Sequence, residues 1–289
     1  MKFVLSMAYS DPREACELAR CGEAAGFDSI AISDHVVHPE VLKTPYPYTA
    51  DGKPRWDSKA HWPDPWVTIA AMSAVTERIR FLTSIFVLPM RNPFLVAKAV
   101  ATAQVLSGGR CSLGVGVGWM KDEFDLLEQD FTRRGARCDE MIEVLRTLFG
   151  GGMVEHHGLF FDFERLEMNP VPDAPVPILI GGISPPALRR AARLGDGWIS
   201  DAHTEAELLA YAATLAQLRR EAGRSSLPFK MVGAAVYRPD SEGIRRLEDA
   251  GYTHLISLPW LRPDAPAPSL KEKRAAVEAF GETTIARFA

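Results

Sequence analysis

The chain has 289 residues, 47% of them hydrophobic, and 33 basic against 37 acidic side chains give a net charge of −4. That length and apolar fraction suffice for a large core, and the evenly spread charge forms no basic stripe to neutralise nucleic-acid phosphates. No run of about 18 apolar residues occurs, and the opening MKFVLSMAYSDPREA breaks too soon for a secretory signal, so a cytoplasmic protein with no nucleic-acid or membrane partner is expected.

Strand-type apolar runs alternate with helical stretches along the whole chain. KFVLSMA (2–8) predicts a strand, 12–25 a helix, DSIAIS (28–33) a strand and 65–75 a helix. Strand 79–87, helix 95–106, strand 111–117 and one long helix over about 122–149 follow. The alternation resumes with strand 176–182, helix 185–194, strand 197–201, helix 205–222, strand 229–237, helix 242–250, strand 254–258 and a helix from Leu270. Eight strand-then-helix units favour an α/β fold, a (β/α)8 TIM-like barrel spanning 1–289 as one domain, over an open doubly wound sheet. Cys16, Cys21, Cys111 and Cys138 fall inside these elements without a C-x-x-C pair, as reduced core thiols would.

Two insertion segments interrupt the alternation. The stretch from Val36 to Pro63, rich in proline and aromatics, is too long for a routine connection and predicts an ordered lid over the barrel mouth. Within about 150–175, VEHHGLFFDF predicts a hairpin turning at His157-Gly158, with His156 and His157 on its surface.

A barrel of this type builds its pocket at the C-terminal strand ends. Those ends carry Asp34-His35, the segment from Phe86 to Arg91, Gly116 to Trp119, Gly181 to Ser184, Trp198 and Asp201, Tyr237-Arg238 and Pro259-Trp260. Trp119, Trp198, Tyr237 and Trp260 are expected near one rim, suiting a flat apolar ring, with Trp198 alternatively packing the barrel.

GVGVGW (114–119) follows a strand and precedes a helix, yet its spacing is G-x-G-x-G and the next helix opens with Asp122 and Glu123. Those carboxylates would repel a phosphate from the positive end of the helix, so this loop is a poor phosphate cradle. GGISPPALRR (181–190) has the opposite character: Gly181 and Gly182 let backbone N–H groups approach a ligand, Ser184 caps, Pro185 sets the first turn and arginines replace acids. An ordinary capped turn would use the same residues. His35, at a strand end beside Asp34, has the residue type for moving a proton near neutral pH, and hydrogen-bonding its loop is the alternative role. His35-x-x-His38 with His61 lacks carboxylate spacing for a metal, and none is expected. No G-x-S-x-G, P-loop or H-E-x-x-H motif points to a hydrolase or kinase.

In order along the chain, AGFDSIAISDHVV, DPWVTIAAMSAVTERIRFLTSIFVLPMRNPFLVAKAVATAQVLSGGR, LGVGVGWMKDEF, RRGARCDEMIEVLR and PILIGGISPPALRRAARLGDGW resemble the luciferase-like oxidoreductases, in particular the branch using coenzyme F-420. The resemblance is close over 1 to about 200. It implies a TIM-like barrel, usually a homodimer, with a flavin-type cofactor at the strand ends. Asp34, Ser84, Ile85, Gly116, Gly118, Trp119, Gly181, Gly182 and Ile183 would bind that cofactor, and His35 would be catalytic. It also implies a non-prolyl cis peptide between Ser84 and Ile85 and a phosphate on the backbone of Gly181, Gly182 and Ile183.

The family's sugar-phosphate dehydrogenases pair their histidine with a glutamate just after the glycine loop, where this chain has Trp119. The expected substrate is therefore a small apolar molecule rather than a sugar phosphate, with Glu123 a weak candidate for the acid partner of His35. The resemblance leaves open an FMN-dependent monooxygenase and a flavin-binding protein without turnover. A sugar-phosphate isomerase would place glycine-rich phosphate loops after strands seven and eight, where none occurs.

Overall fold

A computed structural model describes residues 1–261 and 267–288. In chain order it contains β1 (Lys2–Ser6), α1 (Ala15–Ala24), β2 (Ser29–Ile32), α2 (Pro65–Ser73), β3 (Arg80–Thr83), β4 (Phe86–Val87), α3 (Pro93–Leu106) and β5 (Cys111–Gly116). Next come α4 (Lys121–Leu126), α5 (Arg134–Phe149), the antiparallel pair β6 (Val154–His157) and β7 (Asp162–Leu166), and β8 (Ile178–Gly181). The chain continues with α6 (Pro185–Leu194), β9 (Gly197–His203), α7 (Glu205–Glu221), β10 (Lys230–Ala235), α8 (Ser241–Asp249), β11 (His254–Ser257) and α9 (Leu270–Thr283).

Among the described residues the strands of the main sheet pair in parallel, and two pairings close the ring: β1 with β11, in register Lys2 to His254, and β3 with β5, in register Phe81 to Cys111. The open sheet is thereby excluded, and the fold is a (β/α)8 TIM-like barrel. Strand periodicity divides its core in two. Val4, Ala31, Leu82, Leu179, Ile199 and Val232 fill the interior. Their neighbours Phe3, Leu5, Ile30, Ile32, Phe81, Ile178, Ile180 and Trp198 face the helices.

Three helices begin with a capping side chain followed by proline. Asp64 accepts from the N–H groups of Trp66 and Val67, Asn92 from Phe94 and Ser184 from Ala187. Proline at the first helical position donates nothing, so the cap meets the donors that remain.

Two predicted elements are broken. The expected strand 79–87 divides into β3 and β4 around Ser84–Ile85, whose peptide bond is cis. The expected long helix over 122–149 divides into α4 and α5: Glu128 takes a left-handed φ of 55°, and Asp130 accepts from the backbone N–H of Thr132 at 2.8 Å. Helical i→i+4 bonding cannot run through such a residue.

At the N-terminal end of the barrel Asp28 accepts from Ser29 Oγ at 2.6 Å, faces His254 Nε2 at 3.2 Å and pairs with Lys2 Nζ at 2.6 Å. Burial pushes the Asp28 carboxyl up, but the bonds from His254, Lys2 and Ser29 outweigh it and hold its pKa well below the usual carboxylate range. Burial likewise lowers the pKa of His254, with the bond to Asp28 opposing it.

Candidate functional site

The mouth is assembled from strand ends far apart in sequence. His35 and Asp34 follow β2, Ser84 and Ile85 lie between β3 and β4, Gly116 ends β5 with Gly118 and Trp119 beyond it, and Gly181 to Ile183 follow β8.

Two glycines are explained by one isoleucine. A Cβ on Gly116 would lie 2.2 Å from Ile85 Cδ1, and one on Gly181 would lie 2.5 Å from Ile85 Cγ2, closer than real contacts allow. Ile85 therefore spreads over both glycines and joins the interior cluster from above, giving the barrel an apolar ceiling. Gly118 and Gly182 have φ of 78° and 109°, where side chains are disfavoured, and a Cβ on Gly118 would come within 2.5 Å of Val87 Cγ1.

Asp34 is buried, and its carboxylate turns to the bulge. One oxygen accepts from Val87 N at 2.9 Å and the other from Arg91 Nη2 at 2.7 Å. The Arg91 guanidinium also lies 4.1 Å from the centre of the Phe86 ring. Burial raises the Asp34 pKa, and Arg91 and the Val87 N–H pull against it. Asp34 thus braces the segment that carries Ile85.

His35 has a partner. Its Nδ1 sits 3.2 Å and 3.1 Å from the two carboxylate oxygens of Glu123, whose side chain is 2% exposed. Glu123 also accepts from the backbone N–H groups of Val36 at 2.5 Å and Val37 at 3.3 Å. With Nδ1 facing the carboxylate, Nε2 has no hydrogen-bond partner among the described residues. The carboxylate that made the α4 start unsuitable for phosphate is the one that orients the imidazole.

Rings enclose that imidazole. Trp62 lies 4.7 Å from its centre, Trp56 5.1 Å and Trp119 5.9 Å. Trp56 touches Tyr9, Tyr46, Trp62 and Trp119 as well, at centroid distances from 5.0 to 6.5 Å. The segment from Val36 to Pro63 thus brings Trp56 and Trp62 against His35 without a helix or strand of its own. In the same segment, Arg55 Nη1 meets both oxygens of Asp201 at 3.2 and 3.1 Å. Burial pushes the nearby Tyr48 phenol up to about 12, with the Asp201 charge adding to it.

The expected rim of four aromatics is not formed. Trp119 stands at the mouth, but Trp198 is fully buried on the outer side of β9 between Tyr211 and Tyr252. Its Nε1 donates to the Gly182 carbonyl at 2.8 Å and so fixes the turn that leads to Ser184. Trp260 is buried in the helix-facing core, and Tyr237 is exposed. His156, expected at the surface, is half-buried against Phe163 and Glu140; His157 is exposed.

A family profile described as luciferase-like monooxygenase matches residues 3–280. The chain belongs to that family. An uncharacterized protein of Mycobacterium tuberculosis is 37% identical over 290 residues, covering 99% of this chain and 100% of the relative. A coenzyme F-420-dependent glucose-6-phosphate dehydrogenase of Gordonia bronchialis is 32% identical over 211 residues, covering 71% of this chain but 58% of that enzyme. Among solved structures, the monooxygenase RslO1 of Streptomyces bottropensis superimposes with a TM-score of 0.79 at 19% identity, each chain covered in full. A coenzyme F-420-dependent secondary alcohol dehydrogenase, solved with a coenzyme–acetone adduct, gives 0.76 at 21%, with 99% of each chain covered. At these identities the structural likeness establishes the fold.

Proposed function

We propose that this luciferase-like protein is a coenzyme F-420-dependent oxidoreductase that moves a hydride to or from a small, apolar organic substrate. The observation that carries the reading is the buried His35–Glu123 pair, with an imidazole nitrogen left free beside an apolar ceiling at the barrel mouth. Support for the coenzyme comes from the Gordonia bronchialis relative. The residues fit a flat ring with an anionic arm. Ile85 offers the ring an apolar surface, Gly182 at φ 109° keeps the backbone bare, and Ser184 caps α6 without filling the approach to it.

In this reading Ser84, Ile85, Gly116, Gly118 and Trp119 line the ring, Gly181 to Ile183 hold the phosphate, and Asp34 keeps the bulge in place. When bound, the deazaflavin supplies a carbon that accepts or donates hydride. His35 Nε2 takes the proton from, or returns it to, the substrate oxygen. Glu123 holds the ring by Nδ1 and stabilises the imidazolium that forms. The indoles of Trp56, Trp62 and Trp119 exclude water from the exchange.

The guanidinium groups of Arg55 and Arg91 are each matched by a carboxylate, Asp201 and Asp34. Neither of these two therefore brings an unpaired charge to a substrate phosphate, which supports an uncharged substrate even though a relative acts on glucose 6-phosphate.

A homodimer is part of the proposal. The outer faces of α2 and α3 are uncommonly apolar, with Val67 71%, Leu95 73% and Leu106 65% exposed, and a second copy laid there would cover them. Leu95→Glu should then shift the elution volume on gel filtration toward the monomer.

The reading is tested by titrating the apoprotein with coenzyme F-420 and, separately, with FMN, following fluorescence quenching. Saturable micromolar binding of the deazaflavin is expected. Binding of FMN with none of the deazaflavin would overturn the cofactor assignment and point to an oxygen-using monooxygenase.

A further inference from the structure

The imidazole of His35 is only 8% exposed, and two of the three indoles around it come from the segment between Val36 and Pro63. That segment has no helix or strand of its own, only an isolated antiparallel bridge from His61 to Tyr9, so its position depends on what it grips. Its beginning is held by Glu123 through the Val36 and Val37 N–H groups, and next by weak bonds from Lys43 N to Asp122 and from Lys121 N to Thr44 Oγ1, both 3.3 Å. Its end runs into the capped start of α2.

The middle is tied differently. Arg55 reaches Asp201 on β9, two residues beyond Ile199, whose side chain lies in the barrel interior. The register of β9 against β10 shifts between Ile199 and Ala202, and the Asp201 charge acts on Tyr9, Tyr46 and Tyr48, so the carboxylate faces the segment over the mouth. The second Arg55 nitrogen, Nη2, donates to the Tyr48 carbonyl at 2.9 Å, and the guanidinium lies 5.8 Å from the Tyr46 ring centre, so one side chain gathers the segment and pins it to the wall. The next residue along the chain is Trp56, the ring against His35.

We infer that Arg55 and Asp201 form a latch that closes the Val36–Pro63 segment over the mouth, and that ligands reach His35 only when the latch opens. Both partners suit such a device. Their side chains are 36% and 29% exposed, so water and salt compete for the pair and it is weak enough to release on its own. The rings it brings together would separate as one unit, because Trp56 contacts most of them. The inference concerns the protein alone and stands whichever cofactor binds.

The test uses the full chain without ligand. Trp56, Trp62 and Trp119 belong to the latched cluster, whereas Trp66, Trp198 and Trp260 are buried in the core and supply a constant background. Arg55→Ala and Asp201→Asn should each raise acrylamide quenching of tryptophan fluorescence about twofold. Trypsin should cut after Lys43 and Lys59 about fivefold faster, while the far-UV circular dichroism stays that of the parent. The exchange Arg55→Asp with Asp201→Arg should bring both readouts back toward the parent. Should Arg55→Ala lose its circular dichroism, Asp201→Asn alone carries the measurement. Parental quenching and parental cleavage in a folded Asp201→Asn would overturn the latch.

Discussion

The two ends of the barrel each contain a buried histidine facing a carboxylate, and they are put to opposite uses. At the N-terminal end His254 is bonded through both nitrogens, to Thr253 Oγ1 and to Asp28, while Asp28 is further engaged by Lys2 and Ser29. At the C-terminal mouth His35 is bonded, among the described residues, through Nδ1 alone, and Glu123 turns its remaining capacity to two backbone N–H groups. A buried polar group with all its bonds made stiffens a fold, whereas one nitrogen left unmatched in an apolar enclosure is available to a ligand. The same two residue types thus close one end of the molecule and equip the other.

Mutations at the two ends should separate these uses. His35→Ala is expected to lower kcat by about 10²- to 10⁴-fold, the usual range for losing a positioned acid–base group, with a smaller effect on the melting temperature. Steady-state hydride transfer and a thermal melt on the same preparation would check it, and an unchanged kcat would erase the distinction. His254→Ala should do the reverse. It leaves Asp28 without one of its partners and should cost about 1–3 kcal/mol of stability in urea unfolding while the kcat of the folded fraction is retained.

A subtler difference lies in pH. The His254 pKa is depressed in the folded protein, so the unfolded chain takes up the proton first as pH falls below about 6.5. Its stabilising contribution is complete above that value and is lost on acidification. Asp28, also depressed, adds a second loss once pH falls below the ordinary carboxylate range near about 4. The melting temperature should therefore decline from pH 7 to pH 5. His254→Gln, which cannot titrate there, should decline less; equal slopes would remove His254 from the account.

Much of the architecture was legible because it repeats. Eight alternations of strand and helix pattern require the same solution, and Pro65 and Ser184-Pro185 mark helix starts by local chemistry, whereas α3 begins at Pro93, two residues before the expected Leu95. The breaks were less visible: nothing in TRRGAR or in the glutamate at 128 announces a left-handed residue, and a split strand reads like a continuous one. Trp198 packs in the core, the alternative that the sequence left open beside the rim. Trp198 meets Tyr211 and Tyr252 on the outer side of β9 while Asp201 meets Arg55, and the register shift against β10 between Ile199 and Ala202 that separates them has no local signature.

The site was legible in part for the same reason. His35, the glycines and the Ser84–Ile85 bulge follow from strand ends and from the family resemblance. The His35–Glu123 contact joins residues 88 positions apart and Arg55–Asp201 joins residues 146 apart, separations at which no local pattern operates. A pair of acids at the start of α4 was the available clue. Asp122 and Glu123 are both buried there, an uncommon place for carboxylates unless something meets them.

The ceiling made by Ile85 carries a consequence for how relatives of this protein diverge. Because one side chain occupies the Cβ positions of both Gly116 and Gly181, neither glycine is free to acquire a methyl group while the isoleucine stays. A descendant that trims position 85 would open room at two other strands at once, and a descendant that enlarges 116 or 181 must first have trimmed 85. Drift at these three positions is therefore ordered in time, and the contour presented to the ligand changes by steps rather than gradually.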